Sequence, residues 1–185
     1  MKILTAILFL YGFLLIPVDA EVKARKMVDQ TGAEIELPNV AERVVALAPS
    51  ITEMIYSLGA EDRLVGVTTY SNYPPQAESL PRIGSYVKLD LEKIISLKPD
   101  LCLAIKDGNP RRSVDAVRRV GIPVFAIDPR NIEQIVEAYV MLGEVLGKRA
   151  RADMLAAGMN QRMKNISKRV LQQRSRPRVF FQISD

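Results

Sequence analysis

Three tyrosines, Tyr70, Tyr73 and Tyr86, stand in turn-rich stretches, and Ser50, Asn109 and Glu92 stand at what read as helix starts. These are the side chains best placed to do chemistry, and the chemistry is recognition. A phenol ring offers a flat apolar surface with a polar tip, suited to a large planar ligand with polar fringes. Catalytic machinery is harder to assemble. The 185 residues include no His, which removes imidazole bases, Ser-His-Asp and Cys-His systems, and the usual zinc ligands. Only "ALAPSITE" follows the first strand-like run, so a Gly-rich dinucleotide turn is absent there. No Gly-Lys-Ser/Thr phosphate loop or G-x-S-x-G turn occurs either. The neighbouring acids Glu61 with Asp62, and Asp90 with Glu92, are explained by helix capping and the helix macrodipole. Cys102, the only cysteine, sits in "DLCLAIK" and reads as a small buried hydrophobe. No enzyme reaction, cofactor or protein-held metal is expected.

A binding reading needs a frame whose loops converge. "KMVDQTGAEIEL" alternates polar and apolar residues around Thr31-Gly32 and predicts a small β-hairpin. A βα rhythm follows. "RVVALA" (43–48), "RLVGVTT" (63–69), "DLCLAI" and "PVFAI" read as buried strands. Between them, Ser50 to Glu53 predicts a capping box opening a helix that Gly59 ends. Asp90 predicts the cap of "LEKIISLK", with Pro99 forcing a stop. Asn109 is expected to cap a helix with Pro110 at its first position, Val114, Val117 and Val120 on its inner face, and Gly121 after its end. Asn131 to Gln134 predicts another capping box, with Ile132, Ile135, Val136, Tyr139, Leu142 and Leu146 on one face of the helix it opens. Strands alternating with helices imply a parallel, Rossmann-like α/β sheet covered on both faces.

In such sheets ligands sit beyond the carboxyl ends of the strands. Those loops are "APSIT" (48–52), "TYSNYPP" (69–75), "SYVKLD" (85–90), "KDGNP" (106–110) and "DPRN" (128–131). Tyr70 and Tyr86 are expected to face a ligand, whereas Tyr73, beside Pro74 and Pro75, is expected to plug a gap in the core.

The ends of the chain differ from this rhythm. Lys2, the apolar run Ile3 to Ile16 and Val18-Asp19-Ala20 before Glu21 read as a cleavable secretory signal over residues 1–20. Residues 21–147 form the α/β lobe. Residues 148–175 read as one long helix with a broken apolar stripe of Met154, Leu155, Met163, Ile166, Val170 and Leu171. Residues 176–185, "RPRVFFQISD", read as the first strand of a second lobe that the sequence does not contain. The net charge of +5 is concentrated on the long helix and after it, in Lys148, Arg149, Arg151, Arg162, Lys164, Lys168, Arg169, Arg174, Arg176 and Arg178. No nucleic-acid motif accompanies that stripe, so it reads as a solvated face and no nucleic-acid partner is expected.

"RVVALAPSITEMIYSLGAEDRLVGVTTYSNYPPQAESLPRIGS", then "LDLEKIISLKPDL", then the long helix resemble the helical-backbone periplasmic substrate-binding proteins of ABC importers. That family takes up vitamin B12, ferric siderophores and haem, and the resemblance covers residues 26–183. P-S-x-T-E, L-G-A-x-D-R-L-V-G-V and L-E-x-I-x-x-L-K-P-D-L stand in the family's order. The resemblance implies a periplasmic monomer whose long helix joins two lobes around a small-molecule ligand, with cobalamin the first expectation. It implies that Tyr70 and Tyr86 face the ligand, aided by the helix starts at Ser50 and Asn109, and that Glu92 docks on arginines of a membrane permease. A ferric siderophore or haem is the alternative cargo. An anionic siderophore would be met by Lys88, Lys106, Arg111 and Arg130. A lone lobe without function is the further alternative.

Overall fold

The computed structural model describes residues 25–173 and 177–182; the expected signal segment lies outside them. Arg25–Val28 (β1) and Glu34–Leu37 (β2) pair antiparallel as the predicted hairpin. Val44–Ala46 (β3) leads into Pro49–Leu58 (α1), and Leu64–Gly66 (β4) follows a single 3-10 turn. Leu91–Ser96 (α2), Leu101–Ile105 (β5), Arg111–Arg119 (α3), Val124–Ile127 (β6) and Ile132–Val145 (α4) complete the alternation. Arg149–Leu171 (α5) is the long helix.

Strands β3 to β6 form one parallel sheet in the order β4-β3-β5-β6. Its strands are buried on both faces, and alternate residues feed two cores. Val44, Ala46, Leu101, Leu103, Phe125 and Ile127 pack with α1, α4 and the start of α5. Val45, Leu47, Cys102, Ala104, Val124 and Ala126 pack with Ile94 of α2 and Val114 and Val117 of α3. Burial pushes the Cys102 thiol up to about 12, with nearby Asp100 adding to the shift, so the residue is an inert core filler.

Both sheet edges are covered. Along β6, the Gln30 N–H donates to Ala126 O, Asp29 Oδ2 accepts from Ala126 N, and Gln30 Oε1 accepts from Asp128 N. The hairpin turn thereby occupies the edge where another chain could pair. Beyond β4, the segment around Arg82 runs parallel to Val67, with Val67 N donating to Pro81 O and Ile83 N to Val67 O.

Two expected caps are different in the structure. Helix α1 starts at Pro49 rather than after Ser50; Ala48 is its cap residue, and no side chain caps it. Proline has a fixed φ suited to the first helical turn and no N–H to satisfy, so it opens the helix one residue earlier. Ser50 is therefore the exposed second residue of α1. Helix α3 starts at Arg111 with Pro110 before it, and Asn109 does not cap it, because its amide is used elsewhere. The caps Asp90 and Asn131 do form, accepting from Lys93 N and Gln134 N at 2.9 Å each. The return arm of the second box, from Gln134 Oε1, reaches Arg130 N instead of Asn131 N.

The helix faces are also narrower than the spacing predicted. Val120 follows the last residue of α3 and is exposed, as are Ile132 and Ile135 at the start of α4. Burial on α4 is strongest at Ala138, Leu142, Gly143 and Val145. There α4 and α5 cross closely: a Cβ on Gly143 would lie 2.3 Å from that of Ala152. On α5 only Ala152 and Ala156 are fully buried, and Met154, Ile166, Val170 and Leu171 are exposed. Residues 177–182 form no strand, since a ladder needs a partner edge, and Val179, Phe180 and Phe181 are exposed. Among the described residues no helix is long and apolar enough to cross a membrane.

Candidate functional site

The sheet order puts a topological switch point between β3 and β5, whose following helices lie on opposite faces. In this class of fold the crevice at that point is where ligands lodge. Here Asn109 fills it. Its side chain is 5% exposed, and both polar atoms are engaged. Oδ1 accepts from Ile105 N at 2.9 Å, and Nδ2 donates to Leu47 O at 2.7 Å and Tyr86 O at 2.9 Å. One amide thus binds the end of β3, the end of β5 and the Tyr86 loop.

The Tyr86 loop is a tight turn. Gly84 has φ +87°, and a Cβ there would meet Lys88 O at 2.5 Å, so only glycine fits. Asp90 N donates to Ile83 O and Lys88 N to Ser85 O, closing the loop on itself. The Tyr86 ring lies against the next loop: a Cβ on Gly108 would be 3.5 Å from its Cδ2. Tyr86 remains 38% exposed.

The Tyr70 loop has its own hub. Ser71 is 1% exposed, and its Oγ lies 3.0 Å from Thr52 Oγ1, which donates to it, and 2.9 Å from Thr68 Oγ1. The Arg82 guanidinium underpins the loop, donating to Thr68 O at 3.0 Å and Ser71 O at 2.8 Å. Thr69 N donates to Gly84 O at 2.8 Å, which ties the two aromatic loops together. Tyr70 is 61% exposed on this support. Tyr73 does not plug the core as expected. It is 63% exposed, the Tyr73–Pro74 peptide is cis, and the ring lines an open depression of about 680 Å³ with Glu53, Tyr56, Glu61, Gln76 and Lys148. Neither Tyr70 nor Tyr86 lines that depression. It follows the outer side of α1, away from the switch point.

Beside Tyr86, the β5–α3 and β6–α4 loops carry Lys106, Asp107, Asp128 and Arg130. Lys106 Nζ lies 2.8 Å from Asp128 Oδ2, and Arg130 Nε lies 2.8 Å from Asp128 Oδ1. The Arg130 guanidinium also forks onto both oxygens of Asp107. The hydrogen bond from Lys106, followed by that from Arg130, holds the Asp128 carboxyl below its usual range despite an opposing effect of burial. Of the cations expected to meet an anionic ligand, Lys106 and Arg130 are therefore neutralised, and Arg111 stands 3.6 Å from Asp115. Lys88 alone of the four has no ion pair among the described residues.

Glu92 lies in the first turn of α2, two residues after the cap Asp90, exposed and without an ion pair among the described residues. Because α2 follows the Tyr86 loop, its start sits at the same end of the lobe as the tyrosines. Among the described residues no group of three or more Cys, Asp or Glu could hold a metal ion. Thr52, Thr68, Ser71 and Arg82 were not found by sequence reasoning. The available signal was Thr52, a hydroxyl on the otherwise apolar inner face of α1.

Comparison with known proteins places this arrangement. The sequence pattern of the family described as periplasmic binding protein matches residues 44–185. The vitamin B12-binding protein of Yersinia pestis (strain Pestoides F) is 39% identical over 141 residues, covering 76% of this chain and 50% of that protein. The crystal structure of the periplasmic vitamin B12 binding protein BtuF of Vibrio cholerae superposes with a TM-score of 0.67 at 32% identity, over 71% of this chain and 52% of that one. A periplasmic heme binding protein from Pseudomonas aeruginosa gives a TM-score of 0.66 at 26% identity, over 70% and 47%. The chain spans about half the length of the curated relatives it matches. These relatives are binding proteins by name, in line with the non-enzymatic reading of the residues. The chain belongs to the periplasmic binding protein family.

Proposed function

We propose that this chain supplies the ligand-binding lobe of a periplasmic solute-binding component of an ABC import system. In this reading it captures cobalamin or a related corrinoid and delivers it to a membrane permease, acting as a monomer. The observation that carries the proposal is the pair of rings, Tyr70 and Tyr86, held out on loops that are hydrogen-bonded to each other and to buried hubs. Loops fixed before binding lose little freedom when a ligand arrives, so more of the rings' apolar contact is converted into affinity. The Yersinia and Vibrio relatives, both named for vitamin B12, support a corrinoid as the cargo.

The expected roles divide between contact and support. Tyr70 and Tyr86 contact the ligand. Ser50 offers its exposed hydroxyl and its N–H in the first turn of α1. Asn109, with its amide fully engaged, serves by fixing the Tyr86 loop. Glu92 is the docking carboxylate toward cations of the permease. The long helix α5 serves as the connector to a second lobe.

Haem is the second reading, supported by the Pseudomonas neighbour and by the same flat wall. A two-walled nanomolar site is worth about −12 kcal/mol, and half of that leaves a dissociation constant of about 30 μM. Titration of the purified chain with cyanocobalamin, followed by absorbance and tyrosine fluorescence, should therefore saturate in the micromolar range. Haem added in competition should displace it poorly. Saturation by haem with no response to cyanocobalamin would overturn the corrinoid assignment in favour of the second reading.

A further inference from the structure

The cations beside the tyrosine wall are held by two acids with no other evident task. Asp107 and Asp128 come from different loops, β5–α3 and β6–α4, and Arg130 reaches both. The Asp128 carboxylate also holds Lys106. The four side chains carry no net charge. The cluster is adjacent to the wall, since Asp107 directly precedes Gly108, on which the Tyr86 ring lies. Asp128, with 12% of its side chain exposed, is stabilised by its two partners, but Asp107, Lys106 and Arg130 all have half or more of their side chains in solvent, where unpaired charges would be well hydrated.

We propose that Asp107 and Asp128 are specificity-determining residues, which engage Lys106 and Arg130 and so withhold the positive charge of these two side chains from the rim beside Tyr86. Lys88 remains there the one cation, of the four expected to meet an anionic ligand, without an ion pair among the described residues. Resting on the reading of Tyr70 and Tyr86 as a ligand wall, this assigns the wall to planar ligands of low net charge and turns away polyanionic metal chelates. An anionic ligand could gain the two cations only by displacing carboxylates already bound to them. Free guanidinium and ammonium groups beside the same ring would form charge-assisted hydrogen bonds to catecholate or carboxylate oxygens. Selectivity of this kind arises from removing an attraction that a competitor needs rather than from strengthening contacts to the favoured ligand.

The test uses the 185-residue chain and two probes, cyanocobalamin and a ferric tris-catecholate complex. The variant D107N/D128N frees Lys106 and Arg130 while preserving side-chain shape. Adding K106Q/R130Q removes the freed charges. E144Q/D153N raises the net charge equally but frees Arg149 at the far end of α4, where it pairs with both acids. At low salt, D107N/D128N should bind the catecholate complex about tenfold or more tighter than the parent chain. That gain should vanish in the quadruple variant, in E144Q/D153N and at high salt. Cyanocobalamin affinity should stay within about twofold across the set.

Equal gains in D107N/D128N and E144Q/D153N would show a general charge effect and overturn the proposal, as would no gain in either. Should D107N/D128N fail to fold by circular dichroism, D107N alone frees one side of Arg130 and must show a smaller gain of the same kind; no gain there overturns the proposal too. The two readings fail separately. Cyanocobalamin binding without a catecholate gain refutes the specificity role alone. A catecholate gain without cyanocobalamin binding refutes the corrinoid assignment alone.

Discussion

Two regions of this chain place large apolar side chains in water, and they do so on different supports. At the carboxyl end of the sheet, Tyr70 and Tyr86 are exposed, but beneath them lie Ser71 and Asn109, buried and hydrogen-bonded to several segments. Along α5, Met154, Ile166, Val170 and Leu171 are exposed on the outer surface of a single helix, with only Ala152 and Ala156 buried beneath its first turns. Exposure alone does not distinguish the two. What distinguishes the two tyrosine loops is the polar scaffold under them, which fixes the loop backbone that carries each ring. The helix offers a long stripe with no such fixing, which suits a broad surface rather than a pocket.

The largest effect in this comparison belongs to Asn109. Replacing it with alanine strands Ile105 N, Leu47 O and Tyr86 O together, and should destabilise the lobe by about 2–4 kcal/mol in chemical denaturation. The same change should loosen the Tyr86 loop, seen as faster amide exchange between Gly84 and Asp90. Ser71→Ala comes next. It removes one hydroxyl from a buried group of three and should cost about 1–2 kcal/mol, with the loosening confined to the Tyr70 loop. Ile166→Ser on α5 should be close to neutral, within about 0.5 kcal/mol, and should leave ligand binding unchanged. A large loss there would erase the contrast between the two regions.

The smallest effect concerns pH. The folded-state pKa of Asp128 is depressed, chiefly by the hydrogen bond from Lys106. Its contribution to stability is therefore fully present above the ordinary carboxylate value of about 4 and is lost only as pH falls through the depressed one. Melting curves of the parent chain and D128N should thus differ by a constant amount from neutral pH to about pH 5, and converge in more acid solution.

Much of the frame could be read from local pattern. The hairpin around Thr31-Gly32, the four buried strand runs, the caps Asp90 and Asn131 and the helix ends at Gly59 and Gly121 depend on neighbours within a few residues, and all form. Apart from Ser50, displaced by the neighbouring Pro49, the misreadings share a cause. Asn109 looked like a cap because asparagine before a helix usually is one, but Leu47, 62 residues away, and Tyr86, 23 residues away, claim its amide. Lys106 looked available for an anion because Asp128, which holds it, lies 22 residues away, and Arg130 because Asp107 lies 23 residues away, although Asp128, two residues before Arg130, holds it as well. Tyr73 looked like a core plug because prolines follow it, yet the loop turns it outward. Tertiary partners decided each case, and periodicity carries no record of them. Tyr70 and Tyr86 were legible as residue types in loops where the structure leaves them exposed. The polar hubs that make them rigid were not.

The most direct measurement is a cyanocobalamin titration of the parent chain against Tyr70→Ala and Tyr86→Ala, with a melting curve for each protein. Both rings are partly in solvent, so each variant should melt within a few degrees of the parent while binding weakens about tenfold or more. Unchanged binding in both variants, with the fold intact, would contradict the claim that these two rings form the ligand wall.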